Sequence, residues 1–223
     1  MRYVIVTGGP LPDEASEVIR SFSSSGEEKV IIACDSGCDF LARHNIIPDI
    51  LIGDMDSISK KGLKFAEKNN VFTEHYPVEK DWTDTEIALN KTEAGDKITL
   101  VCPISARIDH VIANLGIALK LKSEGRDITV TDGVTYCYPL SGEDRIRIDV
   151  SSYEDGAAVS LIPWNFGKTV KGVTTKGLYY PLADSVLTAG SSFSFSNQPK
   201  KNAKNISVSI KSGMLLVVVT KAV

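Results

Sequence analysis

The stretch from Lys29 to Ser57 is the first guide to the fold of this 223-residue chain, and it runs KVIIACDSGCDFLARHNIIPDILIGDMDS. Two short runs rich in β-branched residues, Lys29–Cys34 and Ile50–Ile52, have the composition of buried strands. Between them, Cys38–His44 has the amphipathic pattern of a helix. A strand, a helix and a second strand in this order favour a βαβ unit with two parallel strands.

The same alternation continues on both sides of this stretch and covers the first half of the chain. It predicts an α/β domain of three layers, with a mostly parallel sheet between helices. The predicted strands are Tyr3–Thr7, Lys29–Cys34, Ile50–Ile52, Val71–Tyr76, Ile98–Val101 and Ile128–Thr131. The predicted helices are Asp13–Phe22, Cys38–His44, Lys60–Asn69, Asp84–Ala94 and His110–Glu124. In the last helix, a broad apolar stripe that includes Ile112 is expected to pack on the sheet.

From about Val134 onward the helical period disappears, and short alternating runs separated by glycine-containing turns predict a second, all-β domain. These runs are Arg145–Val150, Ala158–Ile162, Thr169–Thr174, Phe193–Ser196, Ile206–Ile210 and Leu215–Thr220. The last two are joined through Ser212-Gly213, which predicts a β-hairpin. We therefore divide the chain into an α/β domain at residues 1–135 and an all-β domain at residues 136–223.

Composition excludes several classes of protein. A formal net charge of −3 argues against a surface built to bind nucleic acid. No apolar run has the roughly 20 residues of a membrane span, and the N-terminal run is too short for a signal peptide. The four cysteines lack the spacing of a zinc site, which predicts reduced thiols. We expect a cytoplasmic protein that acts on small molecules.

Aspartates follow several predicted strands at the point where each strand ends. Because the carboxyl ends of parallel strands share one edge of a sheet, we expect these side chains to converge there. Like charges repel unless a cation lies among them, and oxygen ligands without histidine or cysteine favour Mg²⁺. Each aspartate alone also fits a helix N-cap or a turn. The residues concerned are Asp35, Asp54, Asp56, Asp81, Asp84 and Asp109.

The segment from Lys80 to Glu86, KDWTDTE, combines a cation with a predicted helix start. Thr83 and Glu86 fit a capping box for this helix, whereas Lys80 and Asp81 lie outside the box. A cation and a metal-binding acid beside a helix N-terminus are typical of a phosphate site. The same sequence also fits a surface ion pair of Lys80 and Asp81.

The segment Arg107-Ile108-Asp109-His110 also stands at a predicted helix start, where free N–H groups favour anions. The guanidinium of Arg107 offers two parallel donors for phosphate oxygens. Asp109 also fits a simple N-cap, and His110 also fits an ordinary surface residue.

Taken together, five segments resemble the thiamine pyrophosphokinase family. In order they are Asp35-Ser36-Gly37-Cys38, Pro48-Asp49 with Gly53-Asp54-Met55-Asp56-Ser57, Lys80-Asp81-Trp82-Thr83-Asp84-Thr85-Glu86, Arg107-Ile108-Asp109-His110 with Ala113-Asn114-Leu115, and Ser196-Asn197. They extend over nearly the whole chain. None is decisive alone, but five segments in this order and spacing are a specific signal.

The resemblance implies an enzyme that uses Mg²⁺ and transfers the diphosphoryl group of ATP to the hydroxyl of thiamine, with AMP as the leaving group. It implies that the α/β domain binds ATP, that the second domain is a β-sandwich that helps to bind thiamine, and that the sites are shared across a homodimer.

The residues that match the family fall into three groups. The catalytic group is Asp35, Asp54, Asp56 and Asp81, of which Asp54, Asp56 and Asp81 are the expected Mg²⁺ ligands. The group for ATP and its phosphates is Lys80, Thr83, Asp84, Arg107, Asp109, His110 and Asn114. The thiamine group is Ser196 and Asn197. Outside the matched residues, Trp164 and Tyr179 are weaker aromatic candidates, and both fit a core or interface position better. Either Asp56 or Asp81 would accept the proton of the hydroxyl, and the sequence does not choose between them.

The chain departs from the family at two glycine positions. The family often has Asp-Gly-Gly-Ala where this chain has Asp35-Ser36-Gly37-Cys38, and a Gly-Gly pair where it has Ser105-Ala106.

Two alternative functions are also compatible with the sequence. Clustered acids with Lys and Arg would also suit a Mg²⁺-dependent phosphohydrolase of nucleotides or sugar phosphates. The altered glycines would suit a thiamine-binding module of the same fold that has lost its activity.

Overall fold

The computed structural model describes residues 1–23, 28–153, 156–164 and 168–221. Contacts between Cα atoms divide the chain into two compact units. The first comprises Met1–Ile117 and Glu124–Val134, and the second comprises Ala118–Ser123 and Thr135–Val223.

The first unit contains six parallel strands in the order β4-β3-β2-β1-β5-β6. They are β1 (Arg2–Val6), β2 (Lys29–Cys34), β3 (Ile50–Gly53), β4 (Phe72–His75), β5 (Lys97–Val101) and β6 (Asp127–Thr131). Each had been expected from the sequence, and the ends differ by at most one residue. The predicted α/β class with a mostly parallel sheet is confirmed.

β1 lies in the middle of these strands. Arg2 is opposite Lys29 of β2 on one side and opposite Lys97 of β5 on the other. Its side chains from Val4 to Val6 are completely buried. A strand covered on both faces requires consecutive apolar residues, and the run Val-Ile-Val meets this requirement.

Among the described residues, five helices occur: α1 (Glu14–Ser23), α2 (Gly37–Arg43), α3 (Lys60–Lys68), α4 (Asp84–Leu89) and α5 (Ile108–Ser123), of which the last residues, Ala118–Ser123, belong to the second unit. α4 ends five residues before the predicted end at Ala94. The N–H groups of Lys91 and Thr92 donate to carbonyls three residues earlier, at 3.2 and 3.1 Å, so the chain tightens into turns there. On α5, Ile112 is 54% exposed, so the apolar stripe is narrower than expected.

The described part of the second unit contains seven strands in two antiparallel groups. β13 pairs with β7 and β9, and the other group has the order β11-β10-β12-β8. The strands are β7 (Thr135–Ser141), β8 (Asp144–Asp149), β9 (Ala157–Pro163), β10 (Thr169–Lys176), β11 (Ser185–Thr188), β12 (Asn205–Ile210) and β13 (Met214–Lys221).

Apolar side chains from both groups of strands form one core. Leu161 of β9 and Val217 of β13 belong to the same buried cluster as Val173 of β10 and Val208 of β12. Because alternate residues of each strand point to this core, the two groups stack as a β-sandwich. The expected all-β sandwich is therefore confirmed.

Two predictions for the second unit were wrong. Ile206–Ile210 and Leu215–Thr220 do not form a hairpin, since β12 and β13 lie in different groups of strands. Gly213 has a φ of 103° in the connection, and Ser212 pairs with Lys171, so the chain crosses from one group to the other. Phe193–Ser196 is not a strand but a turn that leads into an isolated bridge between Asn197 and Val159.

Two strands of the second unit had not been expected from the sequence. β7 contains Pro139, which usually argues against a strand, although Pro139 here is opposite Leu216 of β13. β11 has only four residues. All four cysteines of the chain are buried free thiols. In the described parts of the chain, no helix has the length and apolar character that crossing a lipid bilayer requires.

Candidate active site

The strand order creates a crevice at the carboxyl ends of β1 and β5. β2, β3 and β4 extend from one side of β1, whereas β5 and β6 lie on its other side, so the direction of the connections reverses between β1 and β5. Ligands of open α/β sheets bind at such a reversal. A pocket of about 520 Å³ opens there. Its lining includes the predicted residues Asp35, Thr83, Asp84, Arg107, Asp109, His110 and Asn114.

Small residues allow the loop after β1 to approach the start of α2. A Cβ atom on Gly37 would lie 2.2 Å from the carbonyl oxygen of Val6, and one on Gly8 would lie 2.4 Å from Ser36 Oγ. Ser36 itself has φ −64° and ψ −4°, which any residue adopts. The serine at this position therefore needs none of the conformational freedom of the family's usual glycine. Neither residue of Ser105-Ala106 has a positive φ.

Asp35 has an uncommon backbone conformation directly after β2. Its φ is 43°, in the left-handed region that non-glycine residues rarely adopt. Its N–H donates to Ile52 O at 2.9 Å, and its Oδ1 accepts from the N–H of Met55 at 3.1 Å. A Cβ on Gly53 would lie 2.0 Å from Asp35 Oδ1, so any other residue at this position would displace the Asp35 carboxylate. Strain held in place by its surroundings is typical of functional sites.

Three carboxylates converge at this edge of the sheet. Asp35 follows β2, Asp54 follows β3 and Asp84 begins α4, and one oxygen of each lies within 4.8 Å of the others. Burial, and then the hydrogen bond and the charge of Asp84, raise the pKa of Asp35 to about 7. The pKa of Asp54 is instead lowered, mainly because Asp54 Oδ1 accepts from the N–H of Asp56 at 3.1 Å.

Lys80 places its ammonium group among these carboxylates. Its Nζ lies 3.3 Å from Asp54 Oδ2 and 3.0 Å from Asp84 Oδ1, and it donates to Pro77 O at 3.1 Å. The Lys80 side chain is only 12% exposed. The sequence had suggested that Lys80 binds phosphate or forms a surface ion pair. In this structure, Lys80 is instead paired with the converging carboxylates.

The group of converging carboxylates does not include Asp56 or Asp81. Both side chains are exposed. The hydrogen bond with Asp54 and the charge of Asp54 raise the pKa of Asp56. Asp84 instead occupies the place that the sequence suggested for Asp81. Metal binding by Asp56 and Asp81 stays a prediction.

Thr83 is the N-cap of α4. Its Oγ1 accepts from the N–H of Glu86 at 3.2 Å, as expected for the first half of a capping box. The cap fixes where α4 begins and so directs Asp84, the next residue, toward Asp35 and Asp54. Thr83 therefore acts on the site at least through the position of its neighbour.

Arg107 and Asp109 form an exposed ion pair at the rim of the pocket. Arg107 Nη2 lies 2.6 Å from Asp109 Oδ2, and Nε donates to Oδ1 at 3.3 Å. This pairing lowers the pKa of Asp109. α5 begins at Ile108, so Asp109 lies in the first turn and is not the N-cap. His110 is exposed beside it, whereas Asn114 is buried one turn farther along α5.

The donor set suits a hard divalent cation. Asp84 Oδ1 is buried and, apart from its ion pair with Lys80, has no hydrogen-bond partner in the described residues. A carboxylate oxygen that faces a single ammonium group keeps a lone pair for a further partner. Together with the oxygens of Asp35 and Asp54, it offers the ligands that Mg²⁺ prefers.

In the second unit, the Asn197 side chain is bonded to the chain's own backbone. Its Oδ1 accepts from the N–H groups of Tyr180 and Gln198 at 3.1 and 2.8 Å, and its Nδ2 donates to Tyr180 O at 2.7 Å. Its backbone N–H and carbonyl both pair with Val159. One N–H of the side-chain amide remains for another partner. Ser196 is exposed and has a φ of 55°.

Asn197 thereby fixes a corner that carries two exposed aromatic rings. Tyr179 and Tyr180 are 56% and 66% exposed, and their ring centroids lie 4.8 Å apart in an edge-to-face arrangement. The N–H of Tyr179 donates to Gln198 O at 2.8 Å, which adds a second tie between the two segments. We call Tyr179, Tyr180 and Asn197 the tyrosine corner, a name that here means only these three residues.

Sequence reasoning missed the loop after β1 as part of the site. Thr7, Gly8 and Gly9 line the pocket, and Pro103 lies opposite, since a Cβ on Gly9 would come 2.8 Å from Pro103 Cγ. A signal was present. Two glycines directly after a buried strand indicate a close approach of backbone at the carboxyl edge of the sheet.

Two family descriptions match the chain. The one described as thiamin pyrophosphokinase, catalytic domain, matches residues 24–130, and the one described as thiamin pyrophosphokinase, vitamin B1 binding domain, matches residues 145–215. Together they cover most of the chain.

Individual proteins are similar over nearly the same extent. The thiamine pyrophosphokinase of Bacillus subtilis (strain 168) is 27% identical over 197 residues, which are 87% of each chain. Thiamine pyrophosphokinase 1 of Arabidopsis thaliana is 26% identical over 187 residues, which are 80% of this chain and 68% of the relative. The crystal structure of the Bacillus subtilis enzyme superposes with a TM-score of 0.83 at 23% identity over 100% of both chains, a similarity that concerns the fold alone.

Proposed function

The chain belongs to the thiamine pyrophosphokinase family, and from this membership we propose how its own residues transfer a diphosphoryl group to thiamine. Its function is that transfer, which yields thiamine diphosphate. We assign ATP as the donor, Mg²⁺ as the metal, and AMP as the leaving group. The first unit would bind the nucleotide, and the second would bind thiamine.

The observation that carries this proposal is the convergence of Asp35, Asp54 and Asp84 beside the pocket between β1 and β5. These three carboxylates would hold Mg²⁺ together with oxygens of the nucleotide. When bound, Mg²⁺ would neutralise charge on the phosphates and stabilise the charge that develops during transfer. Asp56 and Asp81, exposed at the same edge, remain further candidates for this role.

The bond changes follow from the reaction. The hydroxyl oxygen of thiamine forms a bond to the β-phosphorus of ATP, and the bond from that phosphorus to the oxygen bridging the α- and β-phosphates breaks, so AMP leaves with that oxygen. The hydroxyl proton passes to a carboxylate oxygen of Asp56 or Asp81. The protein contributes mainly position and charge, as is usual for phosphoryl transfer.

Cations and helix starts would hold the phosphates. Arg107 lies at the rim with its guanidinium on Asp109, so a phosphate would have to exchange with that carboxylate. His110 is exposed beside it, and Asn114 lines the pocket one turn deeper. Thr83 and Asp84 present the start of α4 on the other side. We propose that these groups orient the triphosphate so that its β-phosphorus faces the incoming hydroxyl.

The tyrosine corner would meet thiamine. The thiazolium ring is cationic and the pyrimidine is flat, so an exposed aromatic face offers both stacking and cation–π attraction. Ser196 and the remaining N–H of Asn197 lie in the adjoining segment and would contact polar groups of the ligand. Asn197 would thus contribute by holding the corner as well as by direct contact.

We further propose a homodimer in the cytoplasm. The second unit exposes several large apolar side chains besides the tyrosines, including Val186, Phe193 and Phe195, and an exposed apolar surface of this kind favours association. Buried free thiols at all four cysteines suit a reducing compartment. Light scattering at several protein concentrations measures the oligomeric state directly.

The decisive experiment is an assay of the purified protein with thiamine, ATP and Mg²⁺, in which AMP and thiamine diphosphate are separated by chromatography. Formation of both products in equal amounts, and only when thiamine is present, is the expected result. Phosphate released without thiamine would indicate a phosphohydrolase. Binding of thiamine without turnover at saturating Mg²⁺ and ATP would indicate an inactive module.

A further inference from the structure

Lys80 is held where the proposed metal ligands meet, and not at the rim of the pocket. Its Nζ contacts one oxygen of Asp54 and one oxygen of Asp84, at 3.3 and 3.0 Å. All three side chains are largely buried, with exposed fractions of 11% for Asp54, 12% for Lys80 and 17% for Asp84. Pro77 O accepts a third bond at 3.1 Å and anchors the ammonium group. Lys80 therefore supplies positive charge to carboxylates that would otherwise repel one another.

We infer that Lys80 is an internal counter-ion that positions Asp54 and Asp84 in the metal-free enzyme and competes with a divalent cation for their oxygens. This inference rests on the proposed metal site.

The competition follows from shared atoms. Asp54 Oδ2 and Asp84 Oδ1 face the ammonium group of Lys80, and a divalent cation bound by the same oxygens would lie close to that positive charge. Two cations at such a short distance repel strongly in a partly buried site. Lys80 must therefore withdraw when the carboxylates bind the metal.

The side chain of Lys80 is suited to such a movement. Four methylene groups allow the ammonium to change partners without any shift of the backbone. Asp84 and Thr83 both line the pocket, so an ammonium released from Asp84 lies close to the space assigned to the phosphates. Lys80 would then exchange carboxylate oxygens for phosphate oxygens, and loading of the metal would be coupled to binding of the nucleotide.

The test uses Lys80→Met, which keeps an unbranched side chain only one atom shorter and removes its charge. Binding of Mn²⁺ to protein free of nucleotide and thiamine is followed by electron paramagnetic resonance. Without its competitor, the variant should bind Mn²⁺ at least about tenfold more tightly than the wild type. Its KM for ATP in the assay with Mg²⁺ should rise by a similar factor, because a phosphate contact is lost. If Lys80 had a merely structural role, its substitution would weaken the binding of Mn²⁺ as well as the binding of ATP.

Three further variants serve as controls for this test. Lys91→Met removes the partner of Glu74, an ion pair 2.7 Å long that does not involve the three carboxylates, and should leave Mn²⁺ binding unchanged. Lys80→Arg retains the charge, and should bind Mn²⁺ as weakly as the wild type. Asp54→Asn should no longer bind Mn²⁺. If Asp54→Asn binds Mn²⁺ like the wild type, the metal site lies elsewhere and the proposed function fails at that point, together with this inference.

Thermal unfolding in a chelator gives a second measurement that needs no activity. The metal-free Lys80→Met protein should have a lower Tm than the metal-free wild type, and added Mn²⁺ should raise its Tm by more. Mn²⁺ binding to Lys80→Met that is equal to or weaker than binding to the wild type would overturn the inference while leaving the metal site intact. Absence of Mn²⁺ binding in both proteins up to millimolar concentrations would also overturn it.

Discussion

The acidic edge of the first unit and the tyrosine corner of the second handle their polar groups in opposite ways. At the acidic edge, Asp35 is strained, and Asp84 Oδ1 has only an ion pair. At the tyrosine corner, the Asn197 amide makes three hydrogen bonds to backbone groups. The carboxylates of the acidic edge keep lone pairs that the fold does not use. The Asn197 amide, in contrast, uses nearly all of its donors and acceptors.

This difference separates groups that await a ligand from groups that build the fold. Lys80 offsets part of the charge of the converging carboxylates, and the lone pairs that it leaves unused can accept a further partner. A side-chain amide that completes backbone hydrogen bonds contributes to stability whether or not a ligand binds. Substitutions at the acidic edge should therefore affect catalysis first, and those at the tyrosine corner should affect stability as well.

The largest effect is expected for Asp54→Asn. Loss of a group that stabilises charge in the transition state lowers kcat by about 10²–10³-fold or more. The Tm should change by only a few degrees, because Asp54 lies at the sheet edge and not in the core. Steady-state kinetics and calorimetry measure the two quantities. Wild-type turnover at saturating Mg²⁺ would remove Asp54 from the site.

The next effect distinguishes Asp84 from Asp81. If the converging carboxylates are the metal ligands and Asp56 accepts the hydroxyl proton, Asp84→Asn should lower kcat by about 10²-fold, and Asp81→Asn should lower it far less. The two substitutions are chemically identical and three residues apart, so each controls for the other. Their apparent affinities for Mg²⁺ should differ in the same direction. The reverse order would return the ligand role to Asp81, as the sequence had suggested.

A smaller effect, divided between stability and binding, is expected for Asn197→Ala. Three backbone groups lose their partner, which costs about 1–3 kcal/mol of unfolding free energy and lowers the Tm. The KM for thiamine should rise by about tenfold while the KM for ATP changes little, since a loosened tyrosine corner affects one substrate. Equal changes in both KM values would argue against a role in binding thiamine.

Ser196→Ala is the matched control for the tyrosine corner. Ser196 uses its backbone N–H, which donates to Ser160 Oγ at 3.1 Å, and this bond survives the substitution. The Tm should therefore stay at the wild-type value. A raised KM for thiamine in this variant would identify the hydroxyl of Ser196 as a direct contact.

Arg107→Lys should have a moderate effect. Lysine keeps the charge but lacks the planar pair of donors that a phosphate accepts. The KM for ATP should rise by about three- to tenfold, because Arg107 lies on the exposed rim where solvent weakens each contact. A wild-type KM would mean that Arg107 pairs with Asp109 and has no part in binding.

The smallest effect concerns pH and stability in the metal-free protein. The pKa of Asp35 is raised to about 7 from its usual value of 3.8, so the folded state retains a proton that the unfolded chain has released. The contribution of Asp35 to the free energy of unfolding should be full below about pH 4, fall as pH rises from about 4 to about 7, and level off above that range. Calorimetry in a chelator, with Asp35→Asn as the comparison, should show a flatter profile for the variant. An unchanged profile would assign the slope to other groups.

Much of the first unit was accessible from the sequence, because consecutive apolar residues in β1, β2 and β5 mark strands that are buried on both faces. The second unit was less accessible. The runs Ile206–Ile210 and Leu215–Thr220 alternate as strands do, but alternation does not say which neighbour a strand pairs with. A short connection through Gly213 fits a hairpin as well as a crossing between the two halves of a sandwich.

The candidate site was predicted in its residue types and only partly in its geometry. Spacing placed acids at the ends of β2 and β3, but it could not decide between Asp81 and Asp84, because that depends on where Thr83 caps α4. The ion pair of Lys80 with Asp84 spans only four residues, but the one with Asp54 joins residues 26 apart in sequence, and no local pattern predicts it. The raised pKa of Asp35 likewise depends on its burial beside Asp84, which only the folded chain creates.

The central position of β1 has a consequence for the order in which the protein is made. β1 precedes the other strands of the first unit along the chain, yet one of its two partners, β5, begins only at Lys97. At a translation rate of about 5–20 residues per second, β1 waits for some seconds with one edge unpaired. Pairing between distant segments is also slow in itself. The Val-Ile-Val run of this central strand, completely buried in the finished first unit, thus waits longest for its second partner strand, and that interval is when the nascent chain most needs protection from aggregation.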